Sequence, residues 1–207
     1  MGENALHRYN FRETFKRSIV KYELVRQRIR IHGDVGGACA EGRKKSMKIY
    51  LGADHAGFAL KEALKKFLQE KGYEVVDKGA FSLNPEDDYP DFIEPVASAV
   101  ASDPEHSRGV IIGGSGEGEA IDANRFKGVR AAVYYGGSPD SGLEVVKLAR
   151  EHNDANVLCL SGGQTLEPIP ATSFEEAREI VDTWLATPFS GAERHQRRIQ
   201  KIHELEK

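Results

Sequence analysis

From Met47 onward, short β-rich runs alternate with helical stretches, and most of the joints carry a glycine. "KIYLG" (48–52) reads as a strand. In "FALKEALKKFLQEKG", Phe58, Leu60, Ala63, Leu64, Phe67 and Leu68 fall at helical spacing before a stop at Gly72. "YEVVD" (73–77) is the next strand, followed by a polar loop with "NPEDDYPD", a helix near 92–101 and a buried strand "GVIIGG" (109–114). A helix over about 117–127 stopped by Gly128, a strand "VRAAVY" (129–134), a helix near 141–151, a strand "NVLCL" (156–160) and helices near 173–186 and 191–205 complete the pattern. Strands alternating with helices predict an α/β fold with a mainly parallel, five-stranded sheet and helices on both faces.

In such a fold ligands bind beyond the carboxyl ends of the strands. That rule selects Asp54 and His55, the 113–119 loop, Tyr134 to Ser138, and Ser161 to Gln164. His152 and Asn153 precede the fifth strand, where a helix-to-strand connection lies on the far side. They reach the same place only if that loop folds over.

Charge divides the chain in two. Residues 1–46 hold 11 Lys+Arg against 5 Asp+Glu, a net of +6, while 47–207 hold 18 against 27, a net of −9. The first part is a basic N-terminal extension with no apolar centre of a secretory signal and many acids for a transit peptide. It reads as a flexible tail, as a mis-assigned start with Met47 the true first residue, or as a tethering or nucleic-acid-binding arm. Residues 47–207 read as one domain, within the usual size range. Cys39 and Cys159 form no disulfide framework, which points to a reduced, cytoplasmic setting. No apolar stretch is long enough to span a membrane, and the seven histidines show no metal-ligand spacing, so neither membrane nor metal is expected.

The most informative stretch is "GGSGEGEAID", Gly113 to Asp122. A Walker A loop would need lysine where Glu119 stands, and a dinucleotide loop starting at Gly114 would need glycine there. A nucleophile elbow around Ser115 would need glycine where Glu117 stands. What remains is a turn rich in backbone N–H groups and a helix start with carboxylates in its first turn. That arrangement suits proton abstraction next to a carbonyl, with N–H groups holding the oxyanion that develops. Acids at a helix N-terminus also stabilise the helix dipole with no chemistry at all. Glu117 and Glu119 point roughly 200° apart on a helix, so only one can face the strand ends, and the spacing does not say which.

Five stretches, "GADHAGFALK" (52–61), "DYPDF" (88–92), "GGSGEGEAIDANRFKGVRAA" (113–132), "REHNDANVL" (150–158) and "TPFSGAERHQRRIQKI" (187–202), together resemble the ribose-5-phosphate isomerase B family, which includes galactose-6-phosphate isomerase subunits. The resemblance covers nearly all of 47–207 and none of 1–46. It implies a Rossmann-like, doubly wound subunit that acts as a homodimer or dimer of dimers, needs no cofactor and binds neither nucleic acid nor membrane. The reaction it implies interconverts an aldose phosphate and a ketose phosphate, with ribose 5-phosphate and ribulose 5-phosphate as the expected pair. One branch of the family uses a cysteine base at the end of the third strand, where this chain has Gly113. The other uses a glutamate that matches Glu119.

By the same resemblance His152 opens the sugar ring with Asp54 nearby, and Asn153 binds a hydroxyl. Ser115 and the N–H groups of Gly114, Gly116 and Gly118 hold the enediolate, and Asn124 joins the substrate contacts. His55 meets the phosphate together with Arg194 and Arg198 of a neighbouring subunit. Those arginines stand four apart on a predicted helix, so both guanidinium groups can converge on one dianion. His195 contacts substrate across the dimer or caps a surface. Three stretches depart from the family pattern: "LSGGQT" has Gly163 and Gln164 near the place of a frequent phosphate arginine, "YYGGSPDSGLEVVKL" is a few residues longer than usual, and "QTLEPIPATS" is unfamiliar. A four- or six-carbon sugar phosphate is therefore the first alternative substrate, and a non-catalytic sugar-phosphate binding module the second reading.

Overall fold

The computed structural model describes residues 47–135, 139–163 and 171–206. The reading of 1–46, and the candidates Ser138 and Gln164, lie outside the described residues. In chain order the elements are β1 (Lys48–Ala53), α1 (Phe58–Glu70), β2 (Glu74–Asp77), α2 (Pro90–Ser102), β3 (Ser107–Gly113) and α3 (Glu117–Ala123). β4 (Ala131–Tyr134), α4 (Pro139–Asn153), β5 (Val157–Ser161), α5 (Phe174–Ala186) and α6 (Glu193–His203) follow.

The five strands form one sheet in the order β2-β1-β3-β5-β4, and every pairing is parallel. Alternation along each strand sends side chains to opposite faces, and both faces are covered. Val110 and Ile112 of β3, with Leu158 and Leu160 of β5, pack against Leu64, Leu68, Val146, Ile180 and Trp184 of α1, α4 and α5. Ile111 and Cys159 point the other way, onto Ile93, Val96, Val100, Ala120 and Ala123 of α2 and α3. The sheet is doubly wound, with its direction of winding reversing between β1 and β3. Residues that follow those two strands flank the crevice where such folds take their ligands.

α3 is shorter than the sequence predicts. It stops at Ala123 because Asn124 turns its amide onto the backbone of Ala131, donating from Nδ2 to the carbonyl at 3.1 Å and accepting from the N–H at 2.8 Å. β4 accordingly begins at Ala131 rather than at 129. Among the described residues no helix is long and apolar enough to cross a membrane.

Candidate functional site

The crevice between β1 and β3 is built from three of the five recognisable stretches. Register pairs Ala53 with Ile112, so Asp54 leaves β1 alongside Gly113 at the end of β3. Asp54 is buried, at 6% exposure. Its Oδ1 accepts from the N–H groups of Ala56 and Gly57 at 3.0 and 3.2 Å, which ties it to the start of α1. Burial pushes its carboxyl above the usual carboxylate range, with the N–H of Gly57 and the neighbouring His55 acting in the opposite sense.

The glycine loop resolves the two glutamates. Gly116 has φ +86°, a left-handed conformation that glycine adopts without steric penalty, and it turns the chain directly into α3. In that setting Glu117 is exposed and Glu119 is buried, at 3% exposure. Glu119 lies back over Gly113: a Cβ on Gly113 would overlap its carboxylate. A glycine at the end of β3 is what admits this carboxylate to the strand ends. Burial raises the Glu119 pKa and the negative charge of Asp54 adds to the effect, while the N–H groups of Glu119 itself, Gly116 and Gly114 oppose it. The loop is held from β5, where Ser161 Oγ donates to the Gly114 carbonyl at 2.9 Å and the Gly162 N–H donates to the Gly113 carbonyl at 2.6 Å. Ser115 sits half-buried on the loop, its Oγ accepting from the Glu117 N–H at 3.2 Å.

Two residues the sequence reading passed over complete this end. Tyr89 lies over the loop, its ring and hydroxyl 3.1 Å from where a Cβ on Gly118 would sit. Asp87 accepts from the His55 ring Nδ1 at 2.6 Å, and this bond is the leading cause of a raised His55 pKa. One ligand atom from each of Asp54, His55 and Asp87 falls within 4.8 Å of the others, but a cation there would have to displace the short His55–Asp87 hydrogen bond.

The remaining candidates are elsewhere. His152 and Asn153 stand at the end of α4, just before β5 begins at Val157, so they are at the amino-terminal edge of the sheet. The loop does not fold over. β5 runs from Val157 to Ser161, which separates the two edges by about 13 Å at the ordinary strand rise. The stretch after α5 packs onto the same far edge: the Ser190 N–H donates to the Glu151 carbonyl at 3.1 Å, and Arg150 Nε donates to the Thr187 carbonyl at 3.1 Å. There His195 is buried, its ring centroid 4.2 Å from that of His152 and its Nδ1 2.9 Å from Ser190 Oγ. Burial first, then the nearby His152 and Arg194, lower its pKa and favour a neutral ring. Arg194 and Arg198 are exposed on α6 at this edge.

One reading needs correction: His195 does not cap a surface, being buried beside His152 of its own chain. Asn124 uses both ends of its amide on the backbone of Ala131. Of the other candidates, Tyr134 is engaged by α5, its hydroxyl donating to Glu176 Oε1 at 2.7 Å.

Fold and site together define a doubly wound α/β protein with two buried carboxylates, Asp54 and Glu119, in the crevice at its strand ends. The sequence extends that definition: a family model described as ribose/galactose isomerase matches residues 49–202, and the chain belongs to this family. It is 41% identical over 161 residues to ribose-5-phosphate isomerase B of Mycolicibacterium paratuberculosis, covering 78% of this chain and 92% of that relative. To ribose-5-phosphate isomerase B of Escherichia coli it is 40% identical over 159 residues, covering 77% of this chain and 96% of the relative. The crystal structure of ribose-5-phosphate isomerase B from Mycoplasma genitalium with bound ribulose-5-phosphate superposes with a TM-score of 0.69 at 38% identity, covering 78% of this chain and 97% of that one.

Proposed function

We propose that the chain interconverts ribose 5-phosphate and ribulose 5-phosphate, with Glu119 moving a proton between adjacent carbons. The observation that carries this reading is the position of Glu119: a buried carboxylate of raised basicity, at the end of β3 and backed by N–H groups, in a chain whose relatives are named for this reaction. A binding module without catalysis would be favoured by a Glu119 turned away from the strand ends, and it is turned toward them.

Glu119 takes the proton from carbon 2 of the opened aldose, and the electron pair of that bond forms an enediolate whose negative charge rests on oxygen. A proton passes between the two oxygens, and Glu119 returns its own to carbon 1. Hydrogen lost at one carbon reappears at the next, so the step balances without an outside oxidant. As Glu119 is protonated, it loses the negative charge that the N–H groups of Gly114 and Gly116 offset, just as charge appears on the enediolate. Those groups, Gly118 N–H and Ser115 would hold it, stabilising the transient state more than the substrate.

Ring opening by His152 and hydroxyl binding by Asn153 need a second copy of the chain, because within one copy these residues lie a strand length from Glu119. The site is then shared: Asp54, His55 and Glu119 from one copy, His152, Asn153, Arg194 and Arg198 from another. Exposed Ile202 and Leu205, at 49% and 79%, on and just beyond α6 support such self-association. A cytoplasmic setting belongs to the same proposal and fits a buried free thiol at Cys159.

The test is turnover of ribose 5-phosphate beside four- and six-carbon aldose phosphates. The highest kcat/KM should fall to ribose 5-phosphate, and Arg198→Ala should raise its KM by about tenfold, the loss of one charge-assisted contact, with kcat little changed. A preference for a six-carbon substrate would overturn the assignment of sugar. Gly113→Ala should push Glu119 out of place, lowering kcat by about a hundredfold and stability by about 1–3 kcal/mol, read by kinetics and thermal unfolding.

A further inference from the structure

Asp87 takes part in none of the chemistry above. It lies between β2 and α2 in the polar loop with "NPEDDYPD", yet its side chain is only 6% exposed. Oδ1 accepts two hydrogen bonds from one residue, the His55 backbone N–H at 3.1 Å and ring Nδ1 at 2.6 Å. An ionised carboxylate has no proton to give, so Nδ1 must be the donor. That fixes the ring and leaves Nε2 for a ligand on a side chain 26% exposed. Oδ2 is buried without a hydrogen-bond partner among the described residues. A neutral side chain would not bear the full desolvation penalty of a buried charge, so a carboxylate here is expected to use its charge. The group it holds is His55.

We propose that Asp87 is a positioning residue that holds the His55 ring beside its carboxylate, oriented through Nδ1 so that Nε2 is ready to meet the phosphate of the substrate. The inference rests on the isomerase reading, in which His55 contacts that phosphate. Three acids face the ring: Asp87 and Glu86 from the β2–α2 loop, and Asp54 from the end of β1. All raise its pKa, Asp87 most, while desolvation opposes them. The imidazolium persists up to the folded pKa, and a phosphate monoester is a dianion above about pH 6. Raising the His55 pKa therefore widens, from its upper side, the pH window in which both charges are present. Losing the Asp87 charge narrows that window from the same side.

Asp87→Asn keeps an oxygen that can accept from Nδ1 and removes the charge. It should raise KM for ribose 5-phosphate at pH 7.5 by about tenfold while leaving kcat within about twofold, and the pH at which KM begins to climb should fall. Titration of the His55 ring followed by NMR, which needs no substrate, should move to lower pH. In a His55→Asn background the same substitution should change KM by less than about twofold, because the effect passes through His55. If Asp87→Asn does not fold, Asp87→Ser carries the same measurements. An unchanged His55 titration, or an equal KM penalty with and without His55, overturns the inference and leaves the isomerase reading standing. A wild-type chain that neither binds nor isomerises ribose 5-phosphate overturns both, whatever the titration.

Discussion

Glu119→Gln is expected to lose turnover of ribose 5-phosphate by about a thousandfold while KM and direct binding change little, because the amide fills the same space over Gly113 but cannot accept the proton from carbon. The same variant should be more stable than wild type near neutral pH. Glu119 has its folded pKa raised above 4.5 by burial. Between the unfolded and folded values the native state holds a proton that the unfolded chain has lost, so wild-type stability falls as pH rises through that window. Above it, the ionised carboxylate is a standing penalty that glutamine lacks. Melting temperatures should therefore favour Glu119→Gln at pH 7.5, and the two proteins should converge as pH falls below 4.5. A site that gives up stability to hold a buried base predicts this opposition of activity and stability. A merely structural Glu119 predicts loss of both.

The second large effect concerns the two edges of the sheet. If Glu119 of one copy works with His152 of another, Glu119→Gln and His152→Gln are each inactive as homodimers yet complement when mixed. Random reassembly makes half of the dimers mixed, and each mixed dimer holds one site with both residues intact and one with neither. About a quarter of wild-type activity should return. Denaturing the two variants together, refolding them and assaying against each refolded alone measures it. Activity no greater than the sum of the separate variants would mean that His152 and Glu119 do not share a site across copies, and it would remove the mechanistic role given to the far edge.

Most of the architecture is legible in the chain because its periodicities are clean. β3 and β5 read as continuous apolar runs, as strands buried on both faces must, and α1 carries its apolar residues at helical spacing. The end of α3 was not legible. The apolar pattern runs on to Phe126, and it is the long-range bond from Asn124 to Ala131 that stops the helix early. The choice between Glu117 and Glu119 was open to sequence only through family resemblance, since spacing says that the two diverge and not which one turns inward. The left-handed turn at Gly116 and the space over Gly113 decide it.

The site was legible in part. Asp54, His55 and the glycine loop follow from the rule that ligands sit at strand ends. The burial of Asp87 does not, because nothing in "NPEDDYPD" distinguishes the one acid that meets His55, 32 residues earlier, from its exposed neighbours. The burial of His195 was not legible for a related reason: in "RHQRR" it stands among exposed arginines, and only the folding of 187–195 over the end of α4 buries it against His152.

The most direct test of proton transfer by Glu119 is exchange in deuterated water, with wild type and Glu119→Gln incubated separately with ribose 5-phosphate. Deuterium entering carbon 2 with wild type, and not with the variant, is the result expected of an enediolate formed by this base. Exchange that persists in Glu119→Gln would contradict the assignment of the base, and turnover by wild type without any exchange from solvent would contradict proton transfer through a solvent-exchanging carboxylate.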